Sequence, residues 1–79
     1  MNITIKHFWH TGHSNWVLIN EHGDYVYRTR LDDSFSPPLS GSTRKLAEEL
    51  ALGYADELDF ETIQTEYRYK GEKRSKQIK

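Results

Sequence analysis

"NITIKHFWHTGHSNWVLIN", residues 2–20, decides the fold. Its first half alternates, with Ile3, Ile5, His7 and Trp9 on one side of an extended chain and Thr4, Lys6, Phe8 and His10 on the other. Thr11, Gly12, His13, Ser14 and Asn15 supply turn chemistry, and the apolar run Trp16–Ile19 reads as a second strand. A β-hairpin therefore opens the domain. Strand two does not choose a side, because Val17 with Ile19 and Trp16 with Leu18 are equally suited to face inward.

Outward from this hairpin, Glu21, His22, Gly23 and Asp24 form a second turn signal, and "DYVYRTRL", residues 24–31, alternates again as a third strand. "DDSFSPPLSGS", residues 32–42, is an irregular loop, its path extended by Pro37 and Pro38. Ser42 or Thr43 then caps a helix from about Arg44, in which Leu46, Ala47, Leu50, Ala51 and Tyr54 recur at helical spacing. Gly53 ends that helix or is carried within it as far as about Leu58. "FETIQTEYRYK", residues 60–70, is β-prone and supplies a fourth strand.

The expected fold is a small α+β domain over residues 1–70. Its order is β-β-β-α-β, a mostly antiparallel four-stranded sheet with one helix on one face. Residues 71–79 are expected as a basic, flexible tail, since Ile78 is their one large apolar side chain. Alternation assigns Ile3, Ile5, Trp9, Tyr25, Tyr27, Leu31, Ile63 and Tyr67 to the face under the helix, and the opposite set, including Val26, Phe60, Gln64 and Glu66, to the open face.

Composition limits the chemistry. A chain of 79 residues buries only about 60% of its unfolded surface. With no cysteine, thiol catalysis, cysteine-ligated zinc and disulfides are excluded, which fits a reducing cytoplasm. No stretch has the apolar length of a membrane span, so no membrane partner is expected. Only 35% of residues are hydrophobic, so the ten aromatic rings are assigned to the core by default.

No catalytic motif is present. Ser34, His10 and Asp32 lack the surroundings of a nucleophile elbow, and the glycines form no phosphate loop. Catalysis and cofactors are therefore not expected. His7 and His10 are three apart on a strand and point to opposite faces, while His13 falls in the turn, so a histidine-dependent metal site is the least favoured reading.

Charge points to binding. Residues 70–79 carry five bases and one acid, leaving six bases against eleven acids in residues 1–69. Glu48, Glu49, Asp56, Glu57, Asp59 and Glu61 follow one another with no intervening base, and they suit a protein partner with a basic surface. Asp32, Asp33 and the apolar anchor Phe35 extend that surface. The leading expectation is a non-enzymatic regulator or inhibitor acting by stoichiometric protein contact. In size, lack of cysteine and charge style the chain resembles mobile-element inhibitors of the anti-restriction and anti-CRISPR kind, a resemblance that involves no motif.

The alternative is a nucleic-acid-binding module on the open sheet face, using Lys6, Phe8, Arg28, Arg30 and Arg68, helped by the basic tail. An exposed sheet edge also allows a homodimer in place of a monomer.

Overall fold

The computed structural model describes residues 1–26 and 38–79. Among these, β1 (Asn2–His10), β2 (His13–Ile19), β3 (Ser40–Gly41), β4 (Thr62–Tyr69) and β5 (Glu72–Gln77) form one mixed sheet, and α1 (Arg44–Tyr54) packs on one of its faces. Strand order is β3-β2-β1-β4-β5, with β1 and β4 parallel and the other neighbours antiparallel. Among the described residues the chain forms the expected α+β class with one helix, and five strands in place of four.

Local chemistry explains each element. Thr11 and Gly12, at φ 47° and 78°, form a two-residue turn closed by the His10↔His13 pair, whose backbone twist matches that of the flanking strands. His13 is thus the first residue of β2 and not part of the turn. At the next turn the Asn20 side-chain oxygen accepts the N–H groups of His22 and Asp24. Glu21 accepts the Asn2 N–H at 2.7 Å, and its own and Asn2's backbone N–H groups hold its carboxyl below the usual carboxylate range.

The outer edge of β2 is shared between two short segments. Tyr25 bridges Ile19 and Val26 donates to the Leu18 carbonyl, while Leu39 accepts the Leu18 N–H and Gly41 pairs with Trp16. Of the third strand expected over residues 24–31, only residues 24–26 fall among the described ones; Tyr27, Arg28, Arg30 and Leu31 lie outside them.

Thr43 caps α1 by accepting the Leu46 N–H at 3.2 Å. Ala47, Ala51 and Ala55 are buried at four-residue intervals, and these small side chains bring the helix close to Ile3, Ile5, Leu18 and Ile63. Leu46 stands off this stripe and is 50% exposed. Gly53 lies inside the helix, which ends at Tyr54.

Three expectations are corrected. First, residues 71–79 do not form a tail outside the domain. Lys70 and Gly71, at φ 50° and 81°, make a second two-residue turn, and β5 runs back along β4 from Tyr69↔Glu72 to Gln64↔Gln77. Ile78 then exchanges backbone bonds with the Ile63 region and packs against the core. Second, Tyr25 is 41% exposed and Val26 is buried, the reverse of the assigned faces, because the Ile19↔Tyr25 bridge puts Tyr25 on the side away from the helix. Phe60 is likewise buried, since it precedes β4 and closes the core beyond the helix end. Third, Trp9 is 65% exposed, because the helix does not reach it.

Gly41 is where β3 meets the helix. A Cβ there would lie 2.7 Å from the Ala47 backbone nitrogen, whereas one at Gly53 would meet nothing within 4 Å. Gly41→Ala is expected to destabilise the domain by roughly 1–3 kcal/mol, while Gly53→Ala stabilises it by up to about 1 kcal/mol. Denaturant midpoints of the two variants check this, and equal shifts would contradict the close approach at Gly41.

Candidate functional site

The helix and the strands differ in length. Eleven helical residues span about 16 Å, whereas the nine residues of β1 span about 30 Å, so α1 covers only part of its face. Arg44 lies against Tyr67 and Glu48 against Thr65, so the helix runs antiparallel to β4 with its N-terminus toward the far ends of β1 and β4. Beyond that terminus the same sheet face continues past α1, and Trp9 and Tyr69 on it are exposed.

Register identifies what stands there. On one hairpin the pairs His7↔Trp16 and Trp9↔Ser14, and on the other Tyr67↔Arg74 and Tyr69↔Glu72, fall on the helix side of the sheet. The His7 ring meets Trp16 edge-on at 5.2 Å and lies 6.4 Å from Trp9, and its Nε2 shares a hydrogen bond with the Ser14 hydroxyl. Arg44 sits over the Tyr67 ring at 4.2 Å, and Arg74 over the Tyr69 ring at 4.8 Å. Tyr69 remains 49% exposed. A shallow cavity of about 410 Å³ is bounded by Trp16, Arg44, Tyr67, Arg68, Tyr69 and Arg74.

A second feature adjoins it. The parallel ladder between β1 and β4 ends at Ile5↔Thr65, although β1 continues to His10 and β4 to Tyr69. Between these continuations lies a cleft of about 590 Å³. Its lining comes from both faces, His7, Trp16 and Tyr67 from the helix side and Lys6, Glu66, Arg68 and Lys73 from the other. Mixed lining of this kind means that the gap lies in the sheet itself. Lys6 and Glu66 form an ion pair across it at 3.6 Å.

The residues anticipated for an open basic face divide. Lys6 and Arg68 line the cleft, but Phe8 is half-buried and packs edge-on against Tyr25 at 6.2 Å, which removes it as an open stacking surface. Arg28 and Arg30 lie outside the described residues. Trp9, Trp16, Tyr67 and Tyr69 are not among the anticipated binding residues, because aromatic rings are assigned to the core by default; Arg44 is read only as helix surface, and Arg74 only as part of the basic tail. The signal was present as aromatic residues at alternating positions, His7 with Trp9 and Tyr67 with Tyr69.

Of the acidic residues, Asp56, Asp59 and Glu61 line one shallow depression, and Glu48 stands apart from them. Glu48 turns under the helix and accepts the Thr65 hydroxyl at 2.7 Å, while Glu49, Asp56 and Glu57 are exposed on the helix and beyond its C-terminus. The Asp59 carbonyl accepts the Met1 ammonium at 2.8 Å, and the Glu61 carboxylate lies 3.8 Å from the same group. Lys79 joins them, donating to the Phe60 carbonyl. Asp32, Asp33 and Phe35 lie outside the described residues. Among the described residues no three His, Asp or Glu side chains converge as metal ligands, no carboxylate contacts His7, and no helix is long and apolar enough to cross a membrane.

Comparison with known proteins finds no matching family model, no matching curated protein and no matching solved structure.

Thr65 is fully buried and its hydroxyl is bonded to the half-buried Glu48 carboxylate. Thr65→Val keeps the shape but withdraws the donor, and is expected to cost about 1–3 kcal/mol in unfolding free energy. An unchanged denaturation midpoint would return Glu48 to the set of freely solvated acids.

Proposed function

We propose that this chain is a non-catalytic binding module for single-stranded nucleic acid, using the aromatic and basic part of the helix-side face beyond α1. The observation that carries this reading is the exposure of Trp9 and Tyr69 on the helix side of the sheet, with Arg74 over the Tyr69 ring and Arg44 over the neighbouring Tyr67 ring. Unpaired bases offer ring faces for stacking on such side chains, and their phosphates suit the surrounding guanidinium groups. A duplex hides its base faces. The module therefore prefers single strands, and the binding surface is the helix-side face in place of the opposite one that alternation first suggested.

Electrostatics support it. Five bases lie between Arg68 and Lys76, against Glu72 alone, and the positive end of the helix dipole, with Arg44 and Lys45 in its first turn, points the same way. Net charge is −1, so attraction for a polyanion is local to this end and not a property of the whole body.

A second reading is favoured by the exposed Glu49, Asp56 and Glu57 near the opposite end of the helix. It is stoichiometric docking of these acids on a basic protein surface, in the manner of an inhibitor or regulator. A homodimer through β5 gains less support, since Lys73, Arg74 and Lys76 are all exposed on that edge strand and disfavour pairing with a copy of itself.

Fluorescence anisotropy with short labelled single strands tests the first reading. Trp9→Ala is expected to weaken binding roughly 5- to 150-fold, the equivalent of about 1–3 kcal/mol for one stacked base. Arg74→Ala is expected to lower the salt dependence by the equivalent of about one phosphate contact. Equal affinity for duplex and single strand, or full competition by polyglutamate, would overturn it. Binding abolished by charge reversal at Glu49, Asp56 and Glu57 but untouched by Trp9→Ala would favour the second.

A further inference from the structure

The cleft between β1 and β4 is a different feature from the ring-bearing surface above it. Its volume of about 590 Å³ falls within the range of about 300–1,000 Å³ that small-molecule sites occupy. It also brings together three kinds of group. Trp16 and Tyr67 give it aromatic walls, Arg68 and Lys73 give it cations on the opposite rim, and Glu66 gives it a carboxylate acceptor.

We infer that this cleft is a subsite for one nucleotide unit, an inference that rests on the single-strand reading above. The base enters between the Trp16 and Tyr67 sides of the gap, and its phosphate meets Arg68 and Lys73, which are paired across β4 and β5 and so present two cations side by side. Glu66 is only 25% exposed and is held at the gap by Lys6, so its carboxylate accepts from a base and not from bulk water alone. A carboxylate acceptor selects bases that carry an exocyclic amino group, such as cytosine, over uracil and thymine. The subsite thus adds base preference to an otherwise sequence-tolerant surface.

The test uses the full chain and three probes: cytidine monophosphate, uridine monophosphate and inorganic phosphate. Amide chemical shifts are followed during titration. Cytidine monophosphate is expected to move the signals of Lys6, His7, Glu66 and Tyr67, with uridine monophosphate about tenfold weaker. Glu66→Gln, at a partly exposed position, is expected to erase that difference, and Arg68→Ala, fully on the surface, to weaken both nucleotides severalfold while leaving the fold intact. Identical shifts with inorganic phosphate would reduce the cleft to an anion site and overturn the inference. Loss of all mononucleotide binding, with oligonucleotides still bound through Trp9, would overturn the subsite alone; loss of oligonucleotide binding as well would overturn the reading beneath it.

Discussion

The short helix is the constraint on which the rest of this structure depends. Eleven residues of α1 cannot roof strands of eight and nine residues, because a helix advances less than half as far per residue as a strand. Where the helix lies, Ile3, Ile5, Leu18 and Ile63 are fully buried beneath Ala47 and Ala51. Where it stops, the same alternation carries His7, Trp9 and Tyr69 into the open, with Tyr67 half-buried under Arg44 at the border. The core and the candidate binding surface are therefore two ends of one sheet face.

That division explains which parts were legible from sequence. The first hairpin, the helix and its cap, the fourth strand and the α+β class all follow from local periodicity and turn chemistry, which nearby residues determine. Trp9 was misassigned because alternation gives the side of a sheet but not how far its cover extends. Residues 72–77 were misassigned because their charge suggested a tail, while Lys70-Gly71 was not read as a turn able to return them to β4. Such a strand needs no apolar side chains. As the edge of the sheet it draws its stability from backbone pairing with β4 and from Ile78 at its end.

Charge follows the same axis. The first turn of α1 holds Arg44 and Lys45 and no acid, so its N-terminal end opposes the helix dipole, while its last turn holds no base to complement it. Each such charge costs about 0.3–1 kcal/mol near an exposed terminus. The compensation is local: Arg44 rests on Tyr67, and Glu48 accepts from Thr65. An arrangement that sacrifices helix stability concentrates positive potential beside the exposed rings and negative potential at the other end. Six acids in a row suggest one docking surface, but Glu48, bonded to Thr65, is withdrawn from it, while Asp56, Asp59 and Glu61 share one depression.

The gap in the sheet has the same origin as the open face. Each flanking hairpin is closed by its own two-residue turn at Thr11-Gly12 or Lys70-Gly71. Among the described residues their backbones pair with each other over the parallel ladder from Asn2↔Thr62 to Ile5↔Thr65, the part that the helix and core support. Past that point α1 does not press them together, and each follows its own right-handed twist, which rotates neighbouring strands apart by roughly 20–25°. Lys6 and Glu66 bridge the point of divergence. Lengthening the helix would bury the rings and close the support over both hairpins, so the open aromatic surface and the cleft are one consequence of stopping the helix early.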